Sequence, residues 1–232
     1  VAVSAHEAAP SVNAAFTDQE GHIWFGTWGG GLSCWDPISL RTAEAADGTS
    51  LENAFTLLED PSGSLWMGIA PIFTPTFTPM DKNLARRDDG QIRGLSDIAN
   101  LNRCFSLCAD DRNNLYLGGD WGLIRYDGNT FLSLEEEVGF PGHTVYSLAC
   151  DRRGNLIVGY WLPQQGPRIA CYDGTRFTTL FTEPQPLADD CITALVISRE
   201  DALWFGRGTL YGKDRGKGIG CLRPGAGCTF FT

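Results

Sequence analysis

An internal repeat is the feature that most constrains the fold of this 232-residue chain. Five segments share an apolar residue, which we call the anchor, followed three positions later by a glycine. The anchors are Ile23, Leu65, Leu115, Leu156 and Leu203, and the glycines are Gly26, Gly68, Gly118, Gly159 and Gly206. Self-similarity at a regular spacing indicates a repeat architecture, in which each unit buries its apolar face against the next unit.

The residues before each anchor are typical of a tight hairpin turn. Two positions before the anchors stand residue types that tolerate a positive φ angle, namely Gly21, Gly63, Asn113, Gly154 and Asp201. Five positions before the anchors stand Asp18, Asp60, Asp110, Asp151 and Ser198, whose side chains are suited to accept hydrogen bonds from a turn backbone. Each repeat is therefore predicted to contain a strand, a hairpin turn and a second strand that ends near the repeated glycine.

Two further strands are predicted in each repeat. Third strands are expected at residues 31–36, 83–88, 122–127, 168–173 and 218–223, and weaker fourth strands around Ile92, Phe131, Phe177 and Phe230. Four antiparallel strands in each of five repeats predict an all-β fold, a five-bladed β-propeller with little helix. We expect a single domain over residues 1–232, closed into one ring, with repeats at about 11–50, 51–97, 98–139, 140–186 and 187–232. The alternative is that the chain is a portion of a longer array of such repeats.

Composition excludes several classes of protein. The net charge of −10 is the reverse of the basic stripe that nucleic-acid binding requires, so no nucleic-acid partner is expected. Apolar residues make up 43%, which is enough for a core, but no apolar run is long enough to span a membrane, so no membrane insertion of this chain is expected.

The cysteines and histidines do not form a metal-binding pattern. Eight cysteines occur without a CxxC motif and the three histidines are scattered, so neither a metal nor another cofactor is predicted. Cys34, Cys171 and Cys221 share one third-strand position and are expected to pack in the core, as are the repeated Trp24, Trp66 and Trp204. The cysteines are interpreted as free, buried thiols, and the alternative for one pair is that Cys221 and Cys228 face each other across a hairpin.

The loop between the second and third strands carries nearly all the length variation among the repeats. A propeller places all copies of such a loop at one face, where binding function is expected. Aromatic rings beside polar side chains suit stacking on sugar faces with hydrogen bonds to hydroxyl groups. The predicted ligand-binding residues are Trp28, Asp120, Trp121, Trp161, Gln164, Gln165, Arg207, Tyr211 and Lys213.

The repeats resemble a known family. The segment DQEGHIWFGTWGGGLSCWD, residues 18–36, is similar over its whole length to the two-component regulator propeller repeat, found in the sensor regions of bacterial hybrid histidine kinases. The resemblance implies a non-catalytic sensor propeller outside the cytoplasm, periplasmic or secreted, although no signal peptide is visible. It also implies signal transduction through a fused kinase or another protein partner, and polysaccharide breakdown products as the small-molecule or oligosaccharide ligand.

Two alternatives remain open at this point. A propeller lyase or hydrolase acting on a polysaccharide or cyclic ester would use His143 with a carboxylate, Asp190 or Glu52, and Tyr211 for general acid–base chemistry. A protein-interaction scaffold would use the flat faces instead. The run Glu135, Glu136 and Glu137 is interpreted as a solvated surface, with calcium binding as its functional alternative.

Overall fold

A computed structural model shows how the repeats fold. It describes residues 11–69, 82–96, 98, 103–120, 122–183, 190–209 and 216–231. Within these ranges no helix is long and apolar enough to cross a membrane. The chain divides into two compact units, Val1–Ser96 and Asp97–Thr232. That all five repeats form a single domain stays a prediction.

The first unit contains two four-stranded antiparallel sheets in which the strands follow chain order. The first sheet consists of β1 (Ser11–Thr17), β2 (Ile23–Trp28), β3 (Leu32–Trp35) and β4 (Leu40–Ala43). The second consists of β5 (Ala54–Glu59), β6 (Leu65–Ile69), β7 (Lys82–Asp88) and β8 (Gln91–Ser96).

The second unit contains three sheets of the same kind. The third sheet consists of β9 (Cys104–Ala109), β10 (Leu115–Gly119), β11 (Gly122–Tyr126) and β12 (Phe131–Ser133), followed by the short helix α1 (Leu134–Val138). The fourth consists of β13 (Thr144–Cys150), β14 (Leu156–Leu162), β15 (Gly166–Tyr172) and β16 (Phe177–Thr182). The fifth consists of β17 (Asp190–Ile197), β18 (Leu203–Thr209), β19 (Gly218–Arg223) and β20 (Gly227–Phe231).

The predicted fold class is confirmed: these five sheets are the blades of an all-β, five-bladed β-propeller, and we number the blades by sheet. The exposed glutamates Glu135, Glu136 and Glu137 form the first turn of α1, where negative charge is favourable to the helix dipole. Glu137 also pairs with Arg125 at 2.8 Å.

The turn between the first and second strands has the predicted geometry in every blade. All five turn positions have a positive φ, including 63° at Asn113 and 56° at Asp201. The capping side chain accepts two backbone N–H bonds in each turn: Asp18 from residues 20 and 22, for example, and Ser198 from residues 200 and 202. These short-range bonds explain why the turn sequence recurs.

The repeated aspartate also binds the aromatic side chain that follows the anchor. The indole Nε1 of Trp24 donates to Asp18 Oδ2 at 2.8 Å, and Trp66 donates to Asp60 in the same way at 2.8 Å. In blade three the Tyr116 hydroxyl donates to Asp110 Oδ2 at 3.1 Å. Burial, together with the Asp110 charge and hydrogen bond, raises the pKa of Tyr116.

The repeated glycine permits close contact between neighbouring blades. A Cβ atom on Gly26 would lie 2.5 Å from the Ala54 carbonyl oxygen of the next first strand. In the second unit a Cβ on Gly118 would lie 2.4 Å from Val145 Cγ1. A larger residue at Gly26 or Gly118 would push the neighbouring first strand away, so glycine at these two positions sets the spacing between blades.

Core packing follows the predictions with two differences. Trp24 and Trp66 are buried, and Cys34 and Cys171 occupy equivalent positions opposite Trp24 and Ile157. Trp204, which was predicted to be core, is only half-buried and stacks on Phe231 with a centroid distance of 5.5 Å.

The second difference concerns the last hairpin. Cys221 lies opposite Thr229, and Cys228 lies opposite Leu222. Because side chains alternate along a strand, the two thiols are on opposite faces of the sheet and do not face each other.

Candidate functional site

Each blade has two edges with different contents. The turn edge carries the capped hairpin between the first and second strands. The long-loop edge lies at the other end, where the second strand ends, the third begins and the first strand of each blade starts. The predicted ligand-binding residues that the structure describes, Trp28, Asp120, Trp161, Gln164, Gln165 and Arg207, belong to this long-loop edge.

The long-loop edge of the first unit contains a cavity of about 520 Å³ that is lined by both polar and apolar residues. Its wall includes the glycine loop Gly29–Gly31, the exposed carboxylates of Glu44 and Glu52, and the side chains of Thr42 and Ser50. Two carboxylates and two hydroxyls around one cavity offer several hydrogen-bond acceptors and donors to a polar ligand.

Backbone bonds between blades hold the cavity wall in place. The Gly29 N–H donates to the Glu52 carbonyl oxygen at 2.9 Å and lies 3.0 Å from the Asn53 Oδ1 acceptor. The Gly31 N–H donates to the same carbonyl at 3.3 Å. Asn53 itself is 4% exposed. The loop that forms one wall is therefore tied to the start of blade two and does not need to be ordered by a ligand.

Trp28, a predicted stacking residue, lies at the end of β2 beside this wall. Its ring contacts Phe55 edge-on with a centroid distance of 5.5 Å, and its backbone forms a bridge with Asn53. Trp28 is half-buried, and it immediately precedes Gly29 of the cavity wall. Its contact with Phe55 fixes the orientation of the ring.

Trp161, Gln164 and Gln165 lie together on the β14–β15 hairpin of blade four. Trp161 is half-buried, and its ring meets His143 at 6.4 Å between centroids and 81° between planes. Gln164 occupies a turn position with φ of 64° and is exposed. Gln165 accepts a bond from Arg168 at 2.8 Å. The structure thus places one aromatic ring and two amide side chains at the same hairpin tip.

Asp120 and Arg207 are held in ion pairs at the long-loop edge. Asp120 pairs with Arg103, and both side chains are mostly buried. Arg207 donates from Nε and Nη2 to the two carboxylate oxygens of Glu183, each at 2.9 Å, and its guanidinium lies 4.3 Å from the centre of the Phe230 ring. Two donors of Arg207 are therefore committed to Glu183.

Sequence reasoning did not identify Arg103 or Glu183 as parts of this edge. Arg103 immediately precedes β9, and Glu183 follows the last strand of blade four. Each is separated from its partner along the chain, by 17 and 24 residues respectively. A charged residue beside a strand end is the only signal the sequence offers for such pairs.

The groups suggested for acid–base chemistry have other contacts in the structure. Asp190 is 3% exposed and forms an ion pair with Lys217. The ring nitrogen Nδ1 of His143 lies 3.3 Å from the Thr144 hydroxyl. The backbone N–H of His143 donates to the backbone carbonyl of Trp161 at 3.2 Å. Glu52 is exposed at the cavity of the first unit.

Among the residues that the structure describes, one group of side chains with metal-ligand atoms lies at a turn edge. Atoms of Asp18, Glu20 and His22 lie within 4.8 Å of one another. Asp18 already accepts from the turn backbone and from Trp24, so the group belongs to the capped turn. Three predicted site residues, Trp121, Tyr211 and Lys213, lie outside the described residues.

Five four-stranded blades with a polar, ion-paired long-loop edge define the class of protein, a repeat β-propeller. A family model described as two component regulator propeller matches residues 7–29, which contain most of the first hairpin. This match confirms the repeat family predicted from the sequence. No curated protein matches the chain.

Solved structures similar to this chain are also propeller proteins. The extracellular domains of the hybrid two component systems BT3049 and BT4673 from B. thetaiotaomicron are 18% and 16% identical to it, with TM-scores of 0.65 and 0.70. The matches cover 91% and 98% of this chain but only 27% and 28% of those chains. Virginiamycin B lyase from Staphylococcus aureus is 16% identical with a TM-score of 0.66, covering 99% of this chain and 71% of the lyase. At these identities the likeness shows the fold.

Proposed function

We propose that this chain is the ligand-sensing propeller of a two-component regulator and binds a carbohydrate at the long-loop edge of its blades. The repeat family and the similar extracellular domains support the sensor role and a location outside the cytoplasm, with a kinase as the output partner. A sensor of this kind converts ligand binding into a shift between conformations of the attached protein.

The observation that carries the ligand proposal is the cavity at the long-loop edge of the first unit. Its lining includes Glu44 and Glu52 together with Thr42 and Ser50, and the half-buried Trp28 immediately precedes the lining residue Gly29 in the chain. Sugars present hydroxyl groups at the edge of a ring and C–H groups on its faces, so acceptors beside an aromatic ring match them. The net charge of −10 favours a neutral over an anionic saccharide.

Binding is tested with a panel of neutral and acidic oligosaccharides. A saccharide that binds the folded chain alone raises its melting temperature, and calorimetry then gives the affinity. In the first unit, Glu44→Gln and Glu52→Gln keep the shape of the cavity but remove its charges, and each is expected to weaken binding by roughly tenfold. Glu200→Gln, an exposed change in another part of the chain, is the matched control and should bind as the wild type does.

The second unit offers an independent test. Trp161→Ala should leave the fold intact, because the repeat does not require a tryptophan at this position. If Trp161 stacks on the ligand, its loss weakens binding by roughly 1–3 kcal/mol. A saccharide that binds all these variants as well as the wild type would place the site elsewhere, and conversion of the saccharide during incubation would favour the lyase alternative.

A further inference from the structure

The turn edge between blades four and five contains a second cavity, of about 350 Å³. Its floor is apolar and includes Ile157, Cys171 and Leu203. Asp151 lies in the wall, and the rim carries charges of both signs, Arg152 and Glu200 among them. This cavity lies away from the long-loop edge of the same blades, so it goes beyond the proposed carbohydrate site.

The other blades show what normally occupies this place. In blades one, two and three an aromatic side chain follows the anchor and donates its polar hydrogen to the repeated aspartate. In blade four the residue after the anchor is Ile157, which has neither a ring nor a polar hydrogen. Asp151 and its capped turn are nevertheless retained, with backbone bonds from residues 153 and 155 at 2.8 Å.

The walls of the cavity correspond to the walls around Trp24. Trp24 lies opposite Cys34 in its own blade, as Ile157 lies opposite Cys171. Trp24 packs in one apolar cluster with Leu65, the anchor of the next blade, and Leu203 is the anchor of the blade after Ile157. The cavity therefore includes the position that an indole ring occupies in blade one.

Asp151 has the capacity to accept one more hydrogen bond there. Its Oδ2 accepts from Asn155 Nδ2 at 2.8 Å. In blade three the equivalent Asp110 Oδ2 accepts from Asn114 Nδ2 at 2.7 Å and also from the Tyr116 hydroxyl. A carboxylate oxygen has two lone pairs, so a second donor fits beside the asparagine in both blades.

We propose that this cavity binds a small, neutral, flat aromatic molecule with one ring N–H or O–H group, such as an indole or a phenol. The ring lies among Ile157, Cys171 and Leu203, and its polar hydrogen is donated to Asp151 Oδ2. The ligand takes the place of the side chain that blade four lacks. Because the rim carries charges of both signs, it favours a neutral ligand over an anionic or cationic one.

The first experiment titrates the intact chain with indole by calorimetry and by saturation-transfer NMR. One saturable site is expected, together with a rise in melting temperature. 1-Methylindole has the same ring but cannot donate to Asp151, and it should bind at least roughly tenfold more weakly, because a hydrogen bond to a charged acceptor is lost. Equal binding of both molecules, or no saturation up to the solubility limit of indole, would overturn the proposal.

The second experiment fills the cavity from the protein side. Ile157→Trp supplies the missing ring, so it should raise the melting temperature and abolish indole binding. Ile38→Trp is the matched control, because Ile38 is 94% exposed on blade one, and this variant should bind indole as the wild type does. Indole binding that survives in Ile157→Trp would show that the site is elsewhere.

A third measurement needs no variant that changes packing in the cavity. The Cys171 thiol lines the cavity, so bound indole should slow its alkylation by a maleimide, whereas the Cys34 thiol, outside the cavity, should react at an unchanged rate. Peptide mass spectrometry separates the two sites. If indole leaves the Cys171 rate unchanged at saturating concentration, the proposal is wrong even where Ile157→Trp does not fold.

Discussion

The two edges of the blades are held together by different kinds of contact. At the turn edge the capping aspartate bonds with groups two to six residues away, as Asp18 does with Glu20, His22 and Trp24. At the long-loop edge the ion pairs join residues 17, 24 and 27 positions apart. The capped turns are therefore determined within one hairpin, whereas the ion pairs of the long-loop edge form only after the strands have assembled.

This difference suggests that the capped turns serve the stability of each blade, whereas the long-loop edge is free to vary for recognition. Local contacts repeat from blade to blade because each hairpin needs the same ones. Contacts at the long-loop edge differ from blade to blade, and this edge also contains the cavity of the first unit. The following predictions, from the largest expected effect to the smallest, test whether the two edges differ in this way.

Arg207→Ala should have the largest effect on stability. It leaves the Glu183 carboxylate, 4% exposed, without its two charge-assisted bonds. Breaking a buried pair from one side typically costs about 3–5 kcal/mol. Urea denaturation measures the free energy of unfolding, with the exposed Arg199→Ala as control. A loss below about 1 kcal/mol would show that this edge adds little to stability.

Gly26→Val should be nearly as damaging for a different reason. Its Cβ would meet the Ala54 carbonyl oxygen at 2.5 Å, so blades one and two must separate, at a cost of about 3 kcal/mol. Gly21→Val is the comparison: it has open space around it, and its cost of about 1 kcal/mol comes from φ alone. Equal losses, measured by thermal and urea unfolding, would contradict the role of Gly26 in blade spacing.

Gly154→Val combines both kinds of cost at the turn edge. The residue has φ of 79°, and a Cβ atom would lie 2.8 Å from the Asp111 side chain. We expect a loss of more than about 1 kcal/mol. An unchanged melting temperature would count against the turn alignment in this blade.

The contribution of the capping residue to the free energy of unfolding should differ among the blades. Asp60→Ala removes bonds from two backbone N–H groups and from Trp66, so a loss of about 2–3 kcal/mol is expected. Ser198→Ala removes two bonds to a neutral acceptor and should cost about 1 kcal/mol. Unfolding free energies of both variants test this order, and a larger loss for Ser198→Ala would reverse it.

Acid should reduce the contribution of the Asp60 cap to the free energy of unfolding. Burial raises the pKa of Asp60, but hydrogen bonds from Ser62, Trp66 and the turn backbone lower it by more, so the folded pKa is below its ordinary value. The stabilisation is present above the unfolded pKa of about 4 and is lost as the pH falls through the folded value. The stability gap between wild type and Asp60→Asn should therefore narrow below about pH 4. A gap unchanged between pH 7 and pH 3 would contradict this.

The sequence predicts the fold well and the site incompletely, for one physical reason. Strands, turns and the glycine of each blade depend on residues close in sequence and recur five times, so their pattern is visible. Glu183 and Arg103 acquire their roles from neighbours in space, and one copy of each gives no pattern. Trp204 shows that the repeat does not fix burial either. It occupies the position equivalent to Trp24, but Trp24 is buried and Trp204 is half-buried.

The hairpin that connects β14 and β15 has a consequence for how such proteins diversify. Its strand pairing runs three residue pairs past Gly159 to Leu162 and Gly166, whereas in blade three the pairing stops one pair past Gly118. The capped turns at the other end of both blades are alike. Because the cost of closing a loop grows slowly with its length, a blade tolerates insertions at this end. New recognition loops can therefore be grafted onto one blade at a time without redesigning the repeat.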